Sequence, residues 1–366
     1  GLAGHRINGR RRRGDDGAHR PSTGWYRWGA HVTRNATAYL VGGGVLMIAL
    51  AAPVLSLNLG FPDDGSKPES TTERRAYDLI AEGFGPGTNG PLVIAVDTSQ
   101  DASVVAPLVE AVTADPGIAS VGEPVLDPAA GVATLVALPT TSPQDEATQV
   151  TVARLRSDVF PAVLDGTPAT AHVGGQTATF ADLGDRVQER RPRFVAAVLL
   201  LSFLLLTVLF RSVLVPLKAV VLNLLSVGAA YGVLVMVFQW GWAADLIGVE
   251  STVPVVSFIP LFMFAILFGL SMDYEVFLLS RVREEYRRHG DNTCAVIDGI
   301  AGTGRTITAA ALIMVAVFSG FILGSDPAIK MMGVGLATAI FLDATVVRLV
   351  LVPATMKLLG DANWWL

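Results

Sequence analysis

The amino-acid sequence predicts an α-helical polytopic membrane protein with six transmembrane helices and one extracytoplasmic domain of α+β, ferredoxin-like fold. Composition is the first reason: 51% of the 366 residues are hydrophobic and 16% are charged, whereas a soluble globular domain carries roughly a quarter charged residues. The second reason is that the apolar residues are concentrated in six long runs. The third is a long segment after the first run, in which short apolar stretches alternate with helical patterns.

Each of the six runs is long enough to cross a bilayer as a helix, which takes about 20 residues. They form one span in 38–57, three spans in 192–279 and two spans in 304–358. Their predicted bounds are Ala38–Leu57, Arg193–Phe210, Val215–Phe238, Val253–Leu279, Ile307–Leu323 and Met331–Leu358.

The orientation of the spans follows from the basic residues, which collect in cytoplasmic connections. The run Arg10–Arg13 precedes the first span, Arg211 and Lys218 lie in the predicted turn between the second and third spans, and several arginines follow the fourth. The connection Gln239–Ser251 contains neither Lys nor Arg. Both chain ends are therefore predicted to lie in the cytoplasm, and the protein to be a multi-pass protein of the plasma membrane.

Three parts of the chain are predicted on the cytoplasmic side: a basic tail at 1–37, an amphipathic connection at 280–303 and the C-terminal end at 359–366. The connection alternates arginines with apolar residues such as Val282 and Tyr286. It either lies along the inner membrane surface or is an ordinary solvated, charged loop.

Residues 58–191 then lie outside the cytoplasm and form a domain in which acidic residues outnumber basic ones. The pattern predicts the order β-α-β-β-α-β, which is the ferredoxin-like arrangement. The predicted strands are Leu92–Val96, Ile118–Val121, Val132–Leu138 and Ala171–Val173. The predicted helices are Ala102–Ala114, Gln144–Phe160 and Phe180–Arg191, the last running directly into the second span.

Asp273 is the main candidate for chemistry. At about 1.5 Å per helical residue, it lies roughly 12 Å inside the fourth span, counted back from Arg281. A charged group at such depth costs several kcal/mol unless it faces protein or water, and such groups serve ion and proton pathways. Desolvation favours the protonated form of a carboxyl group, which suits proton exchange. Tyr274 follows directly, and its hydroxyl can donate to a carboxylate on a neighbouring helix. The alternative is a buried Asp that only ties helices together.

Further polar residues within the spans form a candidate secondary network: Asn223, Ser271, Glu275, Asp343 and Arg348. Glu275 lies about half a turn from Asp273 and either snorkels, caps the basic connection or carries a proton. Arg348 is expected to snorkel to the cytoplasmic end of its helix. Asp343 is expected in a structural ion pair with Arg348 or another basic residue rather than in a proton relay, and Asn223 in an interhelical hydrogen bond.

The sequence indicates no metal site, cofactor, nucleotide or nucleic-acid partner. Its one cysteine, Cys294, cannot form an internal disulfide. The run Gly299–Thr306 is close to a phosphate-binding loop, but Arg305 replaces the lysine and a membrane span follows. No nucleophile–base pair is apparent, so an enzyme is not expected.

The stretch Phe268–Arg281, which reads FGLSMDYEVFLLSR, resembles the MmpL family of the resistance-nodulation-division (RND) superfamily of transporters. Four other stretches share the resemblance: Gly174–Ala178, Arg211–Ala219, Gly304–Ala311 and Asp343–Arg348. The resemblance implies a parent protein of twelve spans in two similar halves, each with an outer porter domain after its first span. This sequence corresponds to the C-terminal half, with an N-terminal half or a second half-protein as its partner.

In such families an Asp–Tyr pair from each half meets at mid-membrane and relays protons, and Asp273 and Tyr274 match one pair. The resemblance implies proton-driven export of lipids, glycolipids or other hydrophobic compounds to the cell envelope, mostly in mycobacteria and their high-GC relatives. Inward proton flow through two alternating halves would drive it. The competing hypothesis is a non-transporting membrane scaffold or lipid sensor of the same fold, which has no need for a buried Asp273.

Overall fold

The computed structural model describes residues 24–249, 252–324 and 326–364. The basic run Arg10–Arg13 lies outside this part of the chain. The first helices are α1 (Gly24–Arg34) and α2 (Ala36–Ala51), and α2 continues as a 3-10 turn, Ala52–Ser56. Helix α1 falls within the predicted basic tail, yet it packs against the bundle: Trp28 Nε1 donates to the Leu349 carbonyl at 2.9 Å.

Residues 58–191 are called the outer segment, after the side of the membrane on which the sequence predicts them. The outer segment begins with the short strand β1 (Leu59–Gly60) and contains one antiparallel sheet with helices. Its elements are α3 (Thr72–Phe84), β2 (Leu92–Asp97), α4 (Val105–Thr113), β3 (Ile118–Val121), β4 (Val125–Asp127), β5 (Val132–Pro139), α5 (Glu146–Arg154), α6 (Phe160–Leu164) and β6 (Ala171–Gly174). The sheet order is β3-β5-β2-β6, all pairs are antiparallel, and β4 adds to β5.

The four strands predicted from the sequence are confirmed within one or two residues. The two central strands, β2 and β5, alternate buried with less buried side chains, which is the pattern of a half-buried strand. Strand β2 buries Leu92, Ile94 and Val96 against α4 and α5. Helix α3 and strands β1 and β4 were not predicted. Helix α3 buries none of its residues and β4 is exposed throughout, so neither belongs to the core of this segment.

The membrane part contains α7 (Gln176–Phe210), α8 (Leu214–Leu234), β7 (Val255–Val256), α9 (Ile259–His289), α10 (Asn292–Ser319), α11 (Pro327–Leu342) and α12 (Val352–Leu359). A widened, π-helical segment, Asp343–Leu351, joins α11 to α12. Within the described residues six helices are long and apolar enough to cross a membrane, as predicted: Ala36–Ser56, Gln176–Phe210, Leu214–Gln239, Ile259–His289, Asn292–Leu323 and Pro327–Trp364. The chain is therefore a multi-pass membrane protein.

Two predictions about the basic connections are wrong. The segment 280–303 is not a separate connection, because α9 continues to His289 and α10 begins at Asn292, with Asp291 accepting from the first N–H groups of α10. Lys218 is not in a turn either: it lies within α8 and is 9% exposed. Charged residues continue α9 beyond its predicted end, and Lys218 lies inside the predicted span Val215–Phe238 and not in the turn before it.

A parallel pair of short strands joins the outer segment to the bundle. Leu59 pairs with Val255 just before α9 begins. Beside them, Gln239 Nε2 donates to the Asn58 carbonyl at 2.5 Å and the Asn58 N–H donates to Gln239 Oε1 at 3.3 Å. The base of the outer segment is thus hydrogen-bonded to the entrance of α9.

Helices α2 and α8 approach closely at Gly232. A Cβ placed there would lie 1.8 Å from the Leu50 carbonyl oxygen, whereas one at Gly42 would meet nothing within 4 Å. We therefore expect Gly232→Ala to destabilise the protein by about 1–3 kcal/mol through overpacking. Gly42→Ala is the matched control and should be neutral or stabilising, since Ala favours helix. Thermal unfolding in detergent measures both; equal stability of the two variants would contradict this packing.

The outer segment contains a buried ion pair that makes its stability depend on pH. Arg154 donates from Nε and Nη2 to the Asp115 carboxylate at 2.7 and 2.5 Å. This bidentate hydrogen bond lowers the pKa of Asp115 below its usual value. The stability it contributes is therefore present above the unfolded pKa of about 4 and is lost as pH falls through the lower folded value.

We expect Asp115→Asn to lower the unfolding free energy of this domain by about 1.5–3 kcal/mol at neutral pH, and to cost progressively less as the pH falls below about 4. Thermal unfolding of the intact protein across this pH range tests the prediction. Glu110→Gln, at an exposed position on α4, is the control. A cost for Asp115→Asn that is independent of pH would show that the carboxylate charge is not the stabilising feature.

Candidate functional site within the helix bundle

A cluster of four buried polar side chains lies inside the bundle. Asn223 comes from α8, Ser271 from α9, and Asp343 and Arg348 from the π-helical segment after α11. Arg348 is 1% exposed and Asn223 is 1% exposed. The sequence places each of these residues in an apolar run, and the structure brings all four together.

Hydrogen bonds connect the four side chains across three elements. Arg348 Nε donates to Asp343 Oδ2 at 2.7 Å, and Arg348 Nη2 donates to both the hydroxyl and the carbonyl of Ser271. Ser271 Oγ lies 2.6 Å from Asn223 Oδ1 and 3.0 Å from Asp343 Oδ1. The predicted Asp343–Arg348 ion pair and the predicted interhelical role of Asn223 are both confirmed. The predicted snorkelling of Arg348 is wrong, because its guanidinium finds these acceptors inside the bundle.

The local helix geometry explains how Asp343 and Arg348 meet. On an α-helix, neighbours on one face are three or four residues apart, and these two are five apart. The segment that carries them is π-helical, with hydrogen bonds between residues five apart, which widens the turn. The widened turn puts the carboxylate and the guanidinium on the same side of the segment.

Asp273 points away from this cluster, whereas Tyr274 contacts it. Asp273 is exposed on the surface of α9. Tyr274 is half-buried: the Arg348 guanidinium lies over its ring, 5.3 Å from the centroid, and its hydroxyl lies 3.7 Å from Met314 Sδ. Tyr274 therefore stands between the exposed carboxyl of Asp273 and the buried charge of Arg348.

Glu275 is buried, which corrects the expectation that it snorkels or caps the basic end of α9. It is 3% exposed, and it interacts electrostatically with Lys218 on α8 and with Arg348 and Asp343. Lys218 was missed as a site residue because it was interpreted as part of a turn. The sequence does contain a signal for this position. Lys218 lies shortly before Asn223 on α8, and Glu275 lies shortly after Ser271 on α9. Because the two helices are antiparallel, both charged residues lie on the same side of the buried cluster.

A small cavity of about 20 Å³ borders the cluster, lined in part by Asn223, Ser271, Tyr274 and Asp343. This is enough for about one water molecule. Asn223 Nδ2 meets no hydrogen-bond partner in the described part of the chain. The cluster therefore combines a carboxylate, a guanidinium, hydroxyl groups and room for one water, which are the parts of a proton-conducting network.

Two larger cavities lie at the junction of the bundle and the outer segment. One, of about 780 Å³, is lined by apolar residues of the membrane helices, including Leu224 and Phe264, and by charged residues such as Glu146. The other, of about 650 Å³, is lined mainly by residues of the outer segment, including Asp63 and Tyr77. Four residues line both cavities: Leu59, Gln144, Gln149 and Gln188. The two cavities therefore adjoin; the one among the membrane helices is called the lower cavity, and the one in the outer segment the upper cavity.

Asp63 gives the upper cavity an acidic group. Its Oδ1 accepts the Gly65 N–H at 2.9 Å, while Oδ2 has no hydrogen-bond partner within the described residues. Burial raises the pKa of Asp63 above its usual value.

Glu285, His289 and Asp298 offer ligand atoms within 4.8 Å of one another, near the turn between α9 and α10. Glu285 Oε1 is already paired with Arg281 Nη2 at 2.8 Å and with Arg288 Nη1 at 3.3 Å. Two guanidinium groups beside this carboxylate oppose the approach of a divalent cation, so the chemistry of the group fits an ion-pair network better than a metal site.

Comparison with known proteins gives a consistent result. The sequence profile of the MMPL family matches residues 75–366. The chain is 38% identical to "Membrane protein YdfJ" of Bacillus subtilis, over 93% of this chain and 47% of that protein. It is 40% identical to "Mycolic acid-containing lipids exporter MmpL11" of Mycolicibacterium smegmatis, over 93% and 36%. It is 32% identical to "Trehalose monomycolate exporter MmpL3" of Mycobacterium tuberculosis, over 88% and 35%. The chain thus spans half or less of the length of these relatives.

The buried ion pair predicts a large effect of removing one partner. Arg348→Met leaves the Asp343 carboxylate buried without its cation and should cost about 3–5 kcal/mol of stability. Arg287→Met, at an exposed position on α9, is the control and should change stability by less than about 0.5 kcal/mol. Thermal unfolding in detergent compares them. Equal stability of the two variants would mean that the cluster does not hold the bundle together.

Proposed function

The chain belongs to the MMPL family, and on that basis we propose that it is half of a proton-motive-force-driven transporter that exports lipids, glycolipids or other hydrophobic compounds to the cell envelope. Two of the similar proteins are named exporters of mycolic acid-containing lipids and of trehalose monomycolate. The observation that carries the proposal is a set of ionisable side chains within helices long enough to cross a membrane. Burying such groups is costly, and they are retained in membranes for ion and proton movement.

Asp273 is the proposed proton carrier and Tyr274 its connection to the rest of the relay. Asp273 is exposed on α9 in this chain, although it lies within a helix that can span the membrane. A carboxyl group facing lipid has a high free-energy cost, so this surface is expected to pack against another part of the complete protein. The relatives are about twice this length or longer, and we propose that a second half, either N-terminal in the same protein or a separate half-protein, covers Asp273.

Tyr274 supports the relay because of its position between two charges. One of them, Arg348, lies over its ring and belongs to the buried cluster with Asp343. The other is the adjacent Asp273. A change of charge on Asp273 therefore acts on the cluster through Tyr274. We propose that Ser271, Asn223, Asp343 and Arg348 hold α8, α9 and the π-helical segment in position around the relay, and that proton loading of Asp273 shifts their packing.

The two adjoining cavities support an amphipathic cargo. The lower cavity offers the apolar side chains of the membrane helices to an acyl chain, and the upper one offers carboxylate, phenol and amide groups for a polar head group. A lipid moving outward would keep its chain against the membrane helices while its head group enters the outer segment. No nucleotide is needed in this scheme, since the proton gradient supplies the energy. The run Gly299–Thr306 forms part of α10 and packs against Val282 and Trp25.

We further propose that residues 58–191 form a ferredoxin-like porter domain outside the cytoplasm, with both chain ends in the cytoplasm. The strand order β3-β5-β2-β6 supports the fold, because it is the order in which four antiparallel strands and two crossing helices form that arrangement. The clustering of arginines at the end of α9 supports the orientation.

The competing function is a membrane scaffold or lipid sensor that binds a lipid in the same cavities without transporting it. It needs the cavities but not a titrating group at Asp273. The two functions therefore make different predictions for a change that removes one proton site and alters nothing else.

In the complete transporter we expect Asp273→Asn to abolish proton-linked lipid export, because the amide keeps the size of the side chain but cannot carry a proton. The measurement is lipid export and proton flux in proteoliposomes under an imposed pH gradient. Asp245→Asn, in an exposed loop between two spans, should export normally. Export by Asp273→Asn at the normal rate, with protein correctly inserted, would refute the proton relay and leave the scaffold or sensor.

A further inference from the structure

We propose that Glu275 and Lys218 form a second proton-binding site in this half, between the Asp343–Arg348 cluster and the basic end of α9. At this site Glu275 takes up and releases one proton, and Lys218 stabilises the ionised carboxylate. The site is separate from Asp273, which lies on the exposed side of the same helix. Its role in transport rests on the proposed function, while its protonation does not.

The first argument is burial without hydrogen bonds. Glu275 is 3% exposed and Lys218 is 9% exposed. In the described part of the chain, neither Glu275 Oε1 nor Lys218 Nζ has a hydrogen-bond partner. Buried polar atoms in native proteins are nearly always bonded, and each exception calls for an explanation. Here the two exceptions are neighbours of opposite charge, close enough to interact electrostatically.

The second argument is a comparison within the same bundle. Asp343 and Arg348 form a structural ion pair, and their side chains are joined to each other and to Ser271 by hydrogen bonds. A buried pair stabilises a fold only when such bonds replace the lost water. Glu275 and Lys218 lack that direct bond. Their geometry therefore fits a pair whose charge changes better than one that only ties helices together.

The third argument is position. Ser271 and Glu275 are four residues apart and share one face of α9. Helix α8 runs antiparallel to α9. Lys218, which precedes Asn223, and Glu275, which follows Ser271, therefore lie on the same side of the buried cluster. Polar groups therefore continue from the buried cluster for about one helical turn toward the basic end of α9. Glu275 thus extends the Asp343–Arg348 cluster, and it can accept a proton that leaves the middle of the bundle.

The charges facing Glu275 allow both of its states. Lys218 on α8 and Arg348 on the π-helical segment favour the carboxylate, whereas Asp343 and the loss of water favour the protonated acid. With all four groups ionised, two positive and two negative charges cancel. Protonation of Glu275 leaves these four groups with one net positive charge. The protonation state of Glu275 therefore changes the electrostatic potential around Tyr274 and Arg348.

The experiment is infrared difference spectroscopy of the complete transporter in lipid, titrated from acid to alkaline pH with ¹³C-labelled glutamate. We expect a protonated-carboxyl band that shifts with the label and is lost in Glu275→Gln. It should persist in Asp273→Asn, which separates this site from the proposed relay. In Lys218→Met the band should remain to higher pH, by about one pH unit or more, which corresponds to a tenfold tighter hold on the proton.

A second variant keeps the test decisive if Glu275→Gln does not fold. Glu275→Gln/Lys218→Met replaces the pair by neutral side chains of similar size, which a bundle tolerates better than one unpaired charge. We expect this double variant to fold, to lack the band and to lose at least tenfold in proton-linked transport. A glutamate band that survives in the double variant would overturn the proton-binding site, and proton-linked transport at the normal rate in this variant would overturn its role in transport.

Discussion

The buried guanidinium of Arg348 is the interaction on which the membrane part depends. It is 1% exposed, and a charge at that depth requires acceptors from its surroundings. Asp343 supplies one within the same segment, and Ser271 supplies its hydroxyl and its carbonyl from α9. Since Ser271 is also bonded to Asn223 on α8, satisfying one cation fixes three elements relative to one another. The π-helical turn at Asp343–Leu351 is the local distortion that makes this possible.

Helix α9 separates two kinds of chemistry by its faces. Ser271 and Glu275 lie inward, among this chain's own residues, whereas Asp273 lies outward and is exposed. Tyr274 lies between the two faces, under Arg348. A proton on Asp273 therefore changes the charge on one face of a helix whose other face is held by the hydrogen bonds of Ser271. Because packed helices have discrete arrangements, a small electrostatic change at such a position can shift the balance between two of them.

Helix α9 also connects to the outer segment. Its entrance follows the strand Val255–Val256, which pairs with Leu59–Gly60 at the base of that segment. The two large cavities meet at the same level, and residues such as Leu59 line both. A movement of α9 would thus be transmitted through backbone hydrogen bonds to the walls of the cavities. This gives a physical route from the proposed protonation within the spans to the shape of the proposed cargo site.

The sequence by itself determined the six spans and the four main strands, because burial in lipid or in a sheet core imposes a period that can be read along the chain. It also determined that charged residues such as Asp273 and Arg348 stand within spans, because their positions in the apolar runs can be read directly from the chain. Strand β4 was not predicted, because a short, fully exposed strand leaves no such period. Helix α3 was missed although its apolar residues recur at helical spacing, at Ala76, Ile80 and Phe84.

Only the tertiary structure decided how the polar residues are grouped. The sequence places Asp273 and Glu275 about half a turn apart, but it does not show which of them faces the bundle, so it could not identify Asp273 as the exposed one. It placed Lys218 in a turn, because a lysine near the end of an apolar run is more often at the membrane surface than inside the bundle. The partners that bury a charge come from helices distant in the chain, and packing alone brings them together.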